Sequence, residues 1–162
     1  MGAGKTATAT ALAAEINAGW IDLDEFIEAR ENRSISQIIG SLGENVFREI
    51  ETDALREAVK TLDYQILALG GGTWTIADNR EILKNAEYQI VWLDAGFELC
   101  WQRISATNRP LAQNKTATRK LFAARRAIYQ SSDILVKVSK NKTPRAVALE
   151  ITEKISRASK LI

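Results

Sequence analysis

The 162-residue sequence has no histidine, one cysteine and two prolines. Without histidine, no imidazole can act as a general base, a metal ligand or a pH switch. This absence argues against zinc hydrolases and against serine or cysteine nucleophiles that histidine activates. The single Cys100 cannot form an internal disulfide, so we expect a reducing, cytoplasmic compartment.

Long apolar runs and a strong charge of one sign are also missing. No apolar stretch approaches the roughly 18–20 residues that span a bilayer, and no charged-then-apolar leader is visible at the start. The 22 basic residues nearly balance the 20 acidic ones, which leaves a net charge of +2. This balance gives no argument for a nucleic-acid partner. We expect a monomer whose partners include neither a membrane nor a nucleic acid.

The sequence does contain a regular alternation of helical and strand patterns. Helices are predicted over about 5–17, 44–62, 78–85, 97–105 and 115–130 and from Pro144 onward. Ser34 with Gln37 resembles a capping box that opens another helix, which Gly43 ends. Strand patterns occur over about 20–24, 64–69, 88–93 and 134–138. This alternation predicts an α/β layered fold with a parallel sheet, in a single domain over residues 1–162.

Five of the nine glycines lie in two short segments. The first is MGAGKT (1–6), which is most of the phosphate-binding pattern G-x-x-x-x-G-K-[ST]. Glycine lets backbone N–H groups fold around phosphate oxygens, and the following helix adds its positive N-terminal end. In this interpretation Lys5 reaches the β- and γ-phosphates, and the Thr6 hydroxyl is a ligand of Mg²⁺. The alternative is a flexible N-terminus before an alanine-rich helix.

The second segment, Gly70-Gly71-Gly72, directly follows a predicted strand. Ligands of α/β proteins bind beyond the carboxyl ends of strands. Two helical arginines, Arg48 and Arg125, could converge near these glycines and clamp a carboxylate with bidentate hydrogen bonds. Alternatively, each arginine pairs with a nearby glutamate and the glycines form a tight turn.

Asp22 and Asp24 are two residues apart at the end of the first predicted strand. In a strand they point to the same face, roughly 6.6 Å apart. One could assist Mg²⁺ while the other meets a substrate hydroxyl. The alternative is a solvated pair of charges at a strand end.

Two further arginines are candidates for nucleotide chemistry. Arg109, in a polar loop over about 106–114, could swing over a transferring phosphate as an arginine finger. Arg103, on the preceding predicted helix, could stack on an adenine. In the alternative interpretation both are solvated surface charges.

The order and spacing of short motifs along nearly the whole chain resemble those of the shikimate kinase family. The series is MGAGKT, DLDEFIE (22–28), SISQI (34–38), GENVFREIE (43–51), LALGGGT (67–73), NR (79–80), VWLD (91–94), NRPL (108–111) and LFAARRAIY (121–129). Each motif is modest alone, but their joint order is highly specific.

The resemblance implies an enzyme that transfers phosphate from ATP to the 3-hydroxyl of shikimate, in the shikimate pathway of aromatic amino acid biosynthesis. It implies a three-layer P-loop NTPase fold of the nucleoside-monophosphate-kinase-like class, with a parallel sheet flanked by helices, and Mg²⁺ as cofactor. The positions that match the family's ATP site are Gly2, Ala3, Gly4, Lys5, Thr6, Arg103 and Arg109. Those that match its shikimate site are Asp24, Arg48, Gly70, Gly71, Gly72 and Arg125, and those that match its metal site are Thr6 and Asp22.

The resemblance also implies catalytic roles for Asp24, Lys5 and Arg109. Asp24 would orient and partly deprotonate the 3-hydroxyl, while Lys5, Arg109 and Mg²⁺ neutralise charge on the transferring group. Arg125 is favoured over Arg126 because it is four residues before Tyr129, as in the family's R-x-x-x-Y. Two other functions stay open: a kinase for another small hydroxylated acid, and a kinase-like protein that binds ligands without catalysis.

The family pattern extends before Met1. The first glycine of the phosphate-binding pattern and the strand that feeds the loop would both precede residue 1, and in this fold that strand lies in the middle of the sheet. We therefore expect this chain to lack the first central strand, so that two neighbouring strands lose a hydrogen-bonding partner. We also expect added upstream residues to increase its activity.

Overall fold

The computed structural model describes residues 2–61, 64–105 and 114–158. The helices are α1 (Lys5–Ile16), α2 (Leu23–Glu31), α3 (Ile35–Leu42), α4 (Glu44–Thr61), α5 (Ala77–Asn85), α6 (Phe97–Ser105), α7 (Lys115–Tyr129) and α8 (Pro144–Ala158), with a short 3₁₀ turn at Thr73–Thr75. The strands are β1 (Trp20–Asp22), β2 (Ile66–Ala68), β3 (Val91–Ala95) and β4 (Ile134–Val138).

The chain divides into two compact units, a terminal unit (Met1–Ala18 with Gln89–Ile162) and a middle unit (Gly19–Tyr88). The expected single domain stays a prediction.

The terminal unit is built on β3 and β4, which pair in parallel from Val91 opposite Ile134 to Ala95 opposite Val138. Residues of β4 alternate between buried and exposed, so this strand buries one face only. The alanine-rich α1 packs against α8. The buried apolar side chains of these two helices are small or aliphatic, and they are Ala9, Leu12, Ala13, Val147, Ala148 and Ile151.

The middle unit contains the parallel pair of β1 and β2, with Trp20 opposite Ile66 and Asp22 opposite Ala68. Helices α2 and α3 pack against α4, which also contacts α5. Several large apolar side chains of this core are fully or almost fully buried, among them Leu23, Ile27, Ile38, Leu55 and Leu83. Because α2 begins directly after β1, the polar residues at this junction lie at the carboxyl end of the strand pair.

Most of the predicted elements are confirmed. Ser34 and Gln37 form the expected capping box, in which Gln37 N donates to Ser34 Oγ at 3.2 Å and Ser34 N donates to Gln37 Oε1 at 2.8 Å. Ala146 N donates to Thr143 Oγ1 at 3.2 Å, so Thr143 caps α8. Both strand pairs are parallel, as predicted. In the described residues they form two separate two-stranded sheets.

The prediction of a strand over 20–24 is wrong beyond Asp22. Asp24 N donates to Asp22 Oδ1 at 3.0 Å, so Asp22 is the N-cap of α2 and Asp24 lies in its first turn. The two aspartates therefore do not share a strand face. Helix α2 itself was not predicted, although Asp22 followed three residues later by Glu25 resembles the spacing of a capping box.

Within the described ranges, no helix has both the length and the apolar character that a membrane crossing needs.

Candidate active site

The phosphate-binding candidate lies at the start of the terminal unit. Gly2 and Gly4 have left-handed backbones, with φ of 62° and 94°, which glycine adopts without strain. Lys5 is the first residue of α1, whose N-cap Gly4 makes no side-chain hydrogen bond, and the first turn contains no acidic residue. Gly4 thus has no side chain with which to cap this turn, and glycine at the start of a helix is typical of a phosphate-binding loop.

Helix α6 supports this loop from one side. Arg103 Nη1 donates to the carbonyl oxygen of Gly2 at 3.0 Å, and a Cβ at Gly2 would lie only 2.7 Å from the carbonyl oxygen of Cys100. Position 2 therefore has no room for a side chain. Burial raises the pKa of the Cys100 thiol, which keeps it protonated and makes it a packing residue. The expected contact of Arg103 with adenine stays a prediction.

In the middle unit, the first turn of α2 brings Asp24 against the glycine block. A Cβ at Gly70 would lie 2.7 Å from Asp24 Oδ1 and 3.0 Å from Glu51 Oε1. Both carboxylates therefore pack directly on the backbone of Gly70, and a larger residue would displace them. A partly buried carboxylate at this place can accept a hydrogen bond from a ligand hydroxyl.

Arg48 lies against the other end of the same block. A Cβ at Gly72 would be 2.5 Å from Arg48 Nη1. The guanidinium donates to Glu51 Oε2 at 2.8 Å and to Glu44 Oε1 at 2.9 Å. Burial alone would lower the pKa of Arg48, but the hydrogen bonds and charges of these two glutamates outweigh it and raise the pKa. The cation is thus fixed beside backbone that has no side chain, which leaves a carboxylate access to it.

Three residues that support this arrangement were given no role from the sequence, although each lies in a motif that carries the family resemblance. Glu51 is 1% exposed and also accepts a 2.6 Å hydrogen bond from Thr73 Oγ1. Asn79, which is fully buried, donates through Nδ2 to the carbonyl oxygen of Thr73 at 3.1 Å. Arg48, Glu51, Thr73 and Asn79 therefore form a continuous chain of hydrogen bonds. Glu51 could have been found from its position three residues after Arg48, whereas Thr73 has no local signal because its partner is 22 residues away.

The two neighbouring arginines of α7 differ in their partners. Arg126 donates to Asp94 Oδ1 at 2.5 Å and to Asp94 Oδ2 at 3.0 Å. Arg125 lies near Tyr129. Burial raises the pKa of the Tyr129 hydroxyl, and the positive charge of Arg125 opposes that rise. Both arginines line a cleft of the terminal unit together with Ala3 and Tyr129. Arg126 is thus engaged by a carboxylate of β3, and the choice of Arg125 for ligand binding stays a prediction.

The structure brings some of the predicted residues together within each unit. Asp24, Arg48, Gly70 and Gly72 converge in the middle unit, with Asp22 at the same strand end. Gly2, Gly4 and Arg103 converge in the terminal unit. Ala3, Lys5 and Thr6 adjoin the two glycines in sequence, and Arg125 lies on α7.

Arg109 and most of the predicted 106–114 loop lie outside the described residues. No group of three or more carboxylate or thiol side chains that could hold a metal occurs in the part of the chain that the structure describes.

Comparison with known proteins assigns these features to one family. The family model of shikimate kinase matches residues 1–156. The chain belongs to the shikimate kinase family. The shikimate kinase of Trichormus variabilis is 34% identical over 159 residues, covering 96% of this chain and 86% of that protein. The shikimate kinase of Streptococcus thermophilus is 33% identical over 153 residues, covering 91% of each chain.

Solved shikimate kinases have the same fold. The enzyme of Acinetobacter baumannii, in a complex with shikimate, matches with a TM-score of 0.90 and 33% identity over 100% of this chain and 91% of that chain. The Aquifex aeolicus enzyme matches with a TM-score of 0.82 and 27% identity over 100% of this chain and 95% of that chain. The expected P-loop kinase fold, with parallel strands and flanking helices, is thereby confirmed.

Proposed function

We propose that this chain catalyses the ATP-dependent phosphorylation of the 3-hydroxyl of shikimate, giving shikimate 3-phosphate and ADP. The observation that carries the proposal is the convergence of Asp24 and Arg48 on the glycine block of the middle unit, in a member of the shikimate kinase family. Shikimate is a small carboxylated triol. An arginine suits its carboxylate and an aspartate suits its hydroxyls.

The acceptor is proposed to bind at this glycine block. Arg48 offers a guanidinium whose orientation is fixed by the buried Glu51, so little side-chain entropy is lost when a carboxylate binds. The contact of Arg48 with the more exposed Glu44 is weak enough in water to exchange for a ligand carboxylate. Asp24 orients the 3-hydroxyl and accepts its proton as the oxygen attacks the γ-phosphate. Arg125 is proposed as a second contact of the carboxylate.

The nucleotide is proposed to bind at the 2–6 loop of the terminal unit. Backbone N–H groups after Gly4 and the ammonium of Lys5 hold the phosphates. Arg103 lies beside the loop and is proposed to meet the adenine, and Arg109 is proposed to contact the transferring phosphate. Backbone donors that are fixed before the reaction stabilise the charge of the transition state without reorganising.

Mg²⁺ is proposed as the cofactor. The donor chemistry fits, because the Thr6 hydroxyl and the Asp22 carboxylate are hard oxygen ligands of the kind that Mg²⁺ prefers. Thr6 would hold the ion and Asp22 would assist it. When bound, the ion neutralises phosphate charge and orients the nucleotide.

We also propose that the chain works as a cytoplasmic monomer. Its single cysteine is buried, and a thiol of that kind is typical of a reducing compartment. Light scattering after gel filtration tests the monomer, since a mass of two or more chains would contradict it.

The function is tested by ADP release with ATP, Mg²⁺ and shikimate. We expect release that depends on shikimate, and a product whose mass and phosphorus NMR spectrum identify the 3-phosphate. Release with gluconate but not with shikimate would instead support a kinase for another hydroxylated acid. Binding of shikimate and ATP without ADP release would support a ligand-binding protein that lacks catalysis.

A further inference from the structure

The motif of Asn79 and Arg80 is part of the series that carries the family resemblance, but it has no place in the proposed function. Both residues lie in α5, and both donate to the 3₁₀ turn that follows the glycine block. Asn79 Nδ2 donates to the carbonyl oxygen of Thr73 at 3.1 Å, and Arg80 Nη1 donates to that of Trp74 at 3.0 Å. Helix α5 therefore holds two successive carbonyl groups of this turn.

The amide of Asn79 is used on one side only. The side chain is fully buried, yet its Oδ1 accepts from no protein group of the described residues. Buried polar groups are ordinarily paired, and an apolar side chain would fill this place without an unpaired acceptor. The Thr73 carbonyl also accepts from Ile76 N, but at the longer distance of 3.4 Å. The amide thus directs the turn through its donor and is not needed merely to fill the core.

The turn in its own right reaches both parts of the proposed acceptor site. Thr73 Oγ1 donates to Glu51 Oε1 at 2.6 Å, and the other oxygen of the same carboxylate accepts from Arg48 Nη1 at 2.8 Å. Thr73 N donates to the carbonyl oxygen of Gly70 at 3.3 Å. Thr73 therefore contacts the glycine block directly and Arg48 through one buried carboxylate.

We propose that Asn79 is a positioning residue of the acceptor site and that Arg80 assists it. By holding the turn, Asn79 keeps the Thr73 hydroxyl on Glu51. Glu51 in turn keeps the guanidinium of Arg48 in the orientation that receives the carboxylate of the acceptor. The inference rests on the proposed function, in which Arg48 binds the carboxylate of shikimate, and all of these residues lie in the middle unit.

Loss of the Asn79 amide should weaken acceptor binding without affecting the nucleotide. The Thr73 carbonyl then loses its shorter hydrogen bond, so the turn and the carboxylate that it holds become less ordered. A bound carboxylate meets a guanidinium whose direction is no longer fixed, and more side-chain entropy is lost on binding. The phosphate loop belongs to the terminal unit and has no part in this chain of contacts.

The test measures the steady-state kinetics of Asn79→Ala. We expect KM for shikimate to rise about threefold to tenfold, as when one long side chain must be ordered on binding, with KM for ATP and kcat unchanged. Asn85→Ala is the matched control, since Asn85 is the exposed last residue of the same helix. Its KM for shikimate should equal that of the wild type.

Arg80→Met provides a second variant at a less buried position, which keeps the test decisive if Asn79→Ala does not fold. Methionine conserves the apolar stem of the side chain but removes the donor to the Trp74 carbonyl. Because Asn79 still holds the neighbouring carbonyl, we expect a smaller rise in KM for shikimate, of about twofold to threefold. An unchanged KM for shikimate would contradict the assisting role.

A double variant shows whether the effect is transmitted through Arg48. Arg48→Gln removes the cation that binds the carboxylate, so Asn79 then has no guanidinium to position. We expect Arg48→Gln combined with Asn79→Ala to have the same KM for shikimate as Arg48→Gln alone, because the two residues act on one contact. Multiplied effects would overturn the inference, since Asn79 would then act by another route.

A merely stabilising role predicts a different result. If Asn79 only held the fold together, Asn79→Ala would lower the melting temperature and the active fraction, and hence kcat, but would leave KM for shikimate unchanged. That result would overturn the inference while shikimate-dependent turnover of the wild type still supported the proposed function.

Calorimetric titration with shikimate alone separates the two proposals when turnover is low. Weaker binding by Asn79→Ala than by Asn85→Ala, by the same factor as KM, supports the inference whatever the rate of turnover. Equal affinities of these two variants would contradict it. A wild type that neither binds nor phosphorylates shikimate would overturn both proposals.

Discussion

Asp24 is the side chain on which the proposed chemistry depends most directly. Its carboxylate packs on Gly70 beside the buried Glu51, so an amide of the same shape fits without rebuilding the site. We expect Asp24→Asn to lower kcat about 10²- to 10⁴-fold, because the amide cannot accept the proton of the attacking hydroxyl. Affinity for ATP should not change. Asp53→Asn, at an exposed carboxylate of α4, is the control; normal turnover by Asp24→Asn would refute the role.

The importance of the missing side chain at Gly72 can be tested by adding a methyl group there. Its φ is −103°, so alanine causes no backbone strain, but the new Cβ would lie 2.5 Å from Arg48 Nη1. The guanidinium is the flexible end of a long side chain and can move away. We therefore expect Gly72→Ala to fold normally and to raise KM for shikimate by about tenfold or more through loss of a fixed arginine.

Gly40→Ala is the matched control for that substitution. Gly40 lies inside α3, and a Cβ there would meet nothing within 4 Å. Alanine should leave KM unchanged and stabilise the protein by about 0.5–1 kcal/mol, as is usual for this exchange within a helix. If both variants had the same KM as the wild type, Arg48 would not be an acceptor ligand.

The elements of this fold were not all predicted equally well from the sequence. Elements with a local signature were found, as with the capping box of α3 and the Thr143 cap of α8. Helix α2 was missed because the alternation around Ile21 and Leu23 resembles a strand, whereas the Asp22 cap turns the chain into a helix. Contacts between elements have no local pattern. The pair of Asp94 with Arg126 joins residues 32 apart, so only the folded chain shows it.

The link between α4 and the glycine block is one such contact between elements. Thr73→Val conserves shape but removes the hydroxyl that donates to Glu51 at 2.6 Å. Because Glu51 is 1% exposed, water cannot replace that donor, and we expect a loss of about 1–3 kcal/mol in the free energy of unfolding. Urea denaturation measures it as a lower midpoint with an unchanged slope.

A threonine outside this network provides the comparison. Thr152 of α8 donates only to the carbonyl oxygen of Ala148, four residues earlier in its own helix. Thr152→Val should therefore change stability little, since bonds of this kind do not strengthen a helix. Equal midpoints for the two valine variants would show that the Thr73 hydroxyl does not stabilise the link.

Over the entire chain, the predicted site residues divide between the two units. The phosphate loop and the arginines of α7 belong to the terminal unit, and Asp24, Arg48 and the glycine block belong to the middle unit. Each group could be predicted because glycine and arginine patterns are local. The partners of Thr73 and Asp94 could not be assigned in the same way, because they lie 22 and 32 residues away along the chain.

Stability of the folded chain in acid depends partly on Glu150. This carboxylate of α8 accepts from Lys142 and, at 3.1 Å, from Lys154, while Lys154 also donates to the carbonyl oxygen of Leu135 in β4. The hydrogen bond from Lys142, followed by that from Lys154, lowers the pKa of Glu150 below its ordinary 4.5. A carboxyl whose pKa is lower in the folded state stabilises the protein above its unfolded pKa. That stabilisation is lost as the pH falls through the folded value.

We therefore expect Glu150→Gln to lower the melting temperature near pH 7 but not in acid. The side chain is 30% exposed, so the effect is about 0.5–1 kcal/mol, or roughly 1–4 °C for a chain of this size. The difference should be complete above the ordinary pKa of 4.5 and shrink as the pH falls through the lowered pKa of the folded state, where the wild-type carboxyl becomes protonated. Glu153→Gln is the control, because its 3.4 Å pair with Arg157 is largely exposed and should contribute little at any pH. A difference for Glu150→Gln that did not change with pH would mean that its packing, rather than its charge, stabilises α8 on β4.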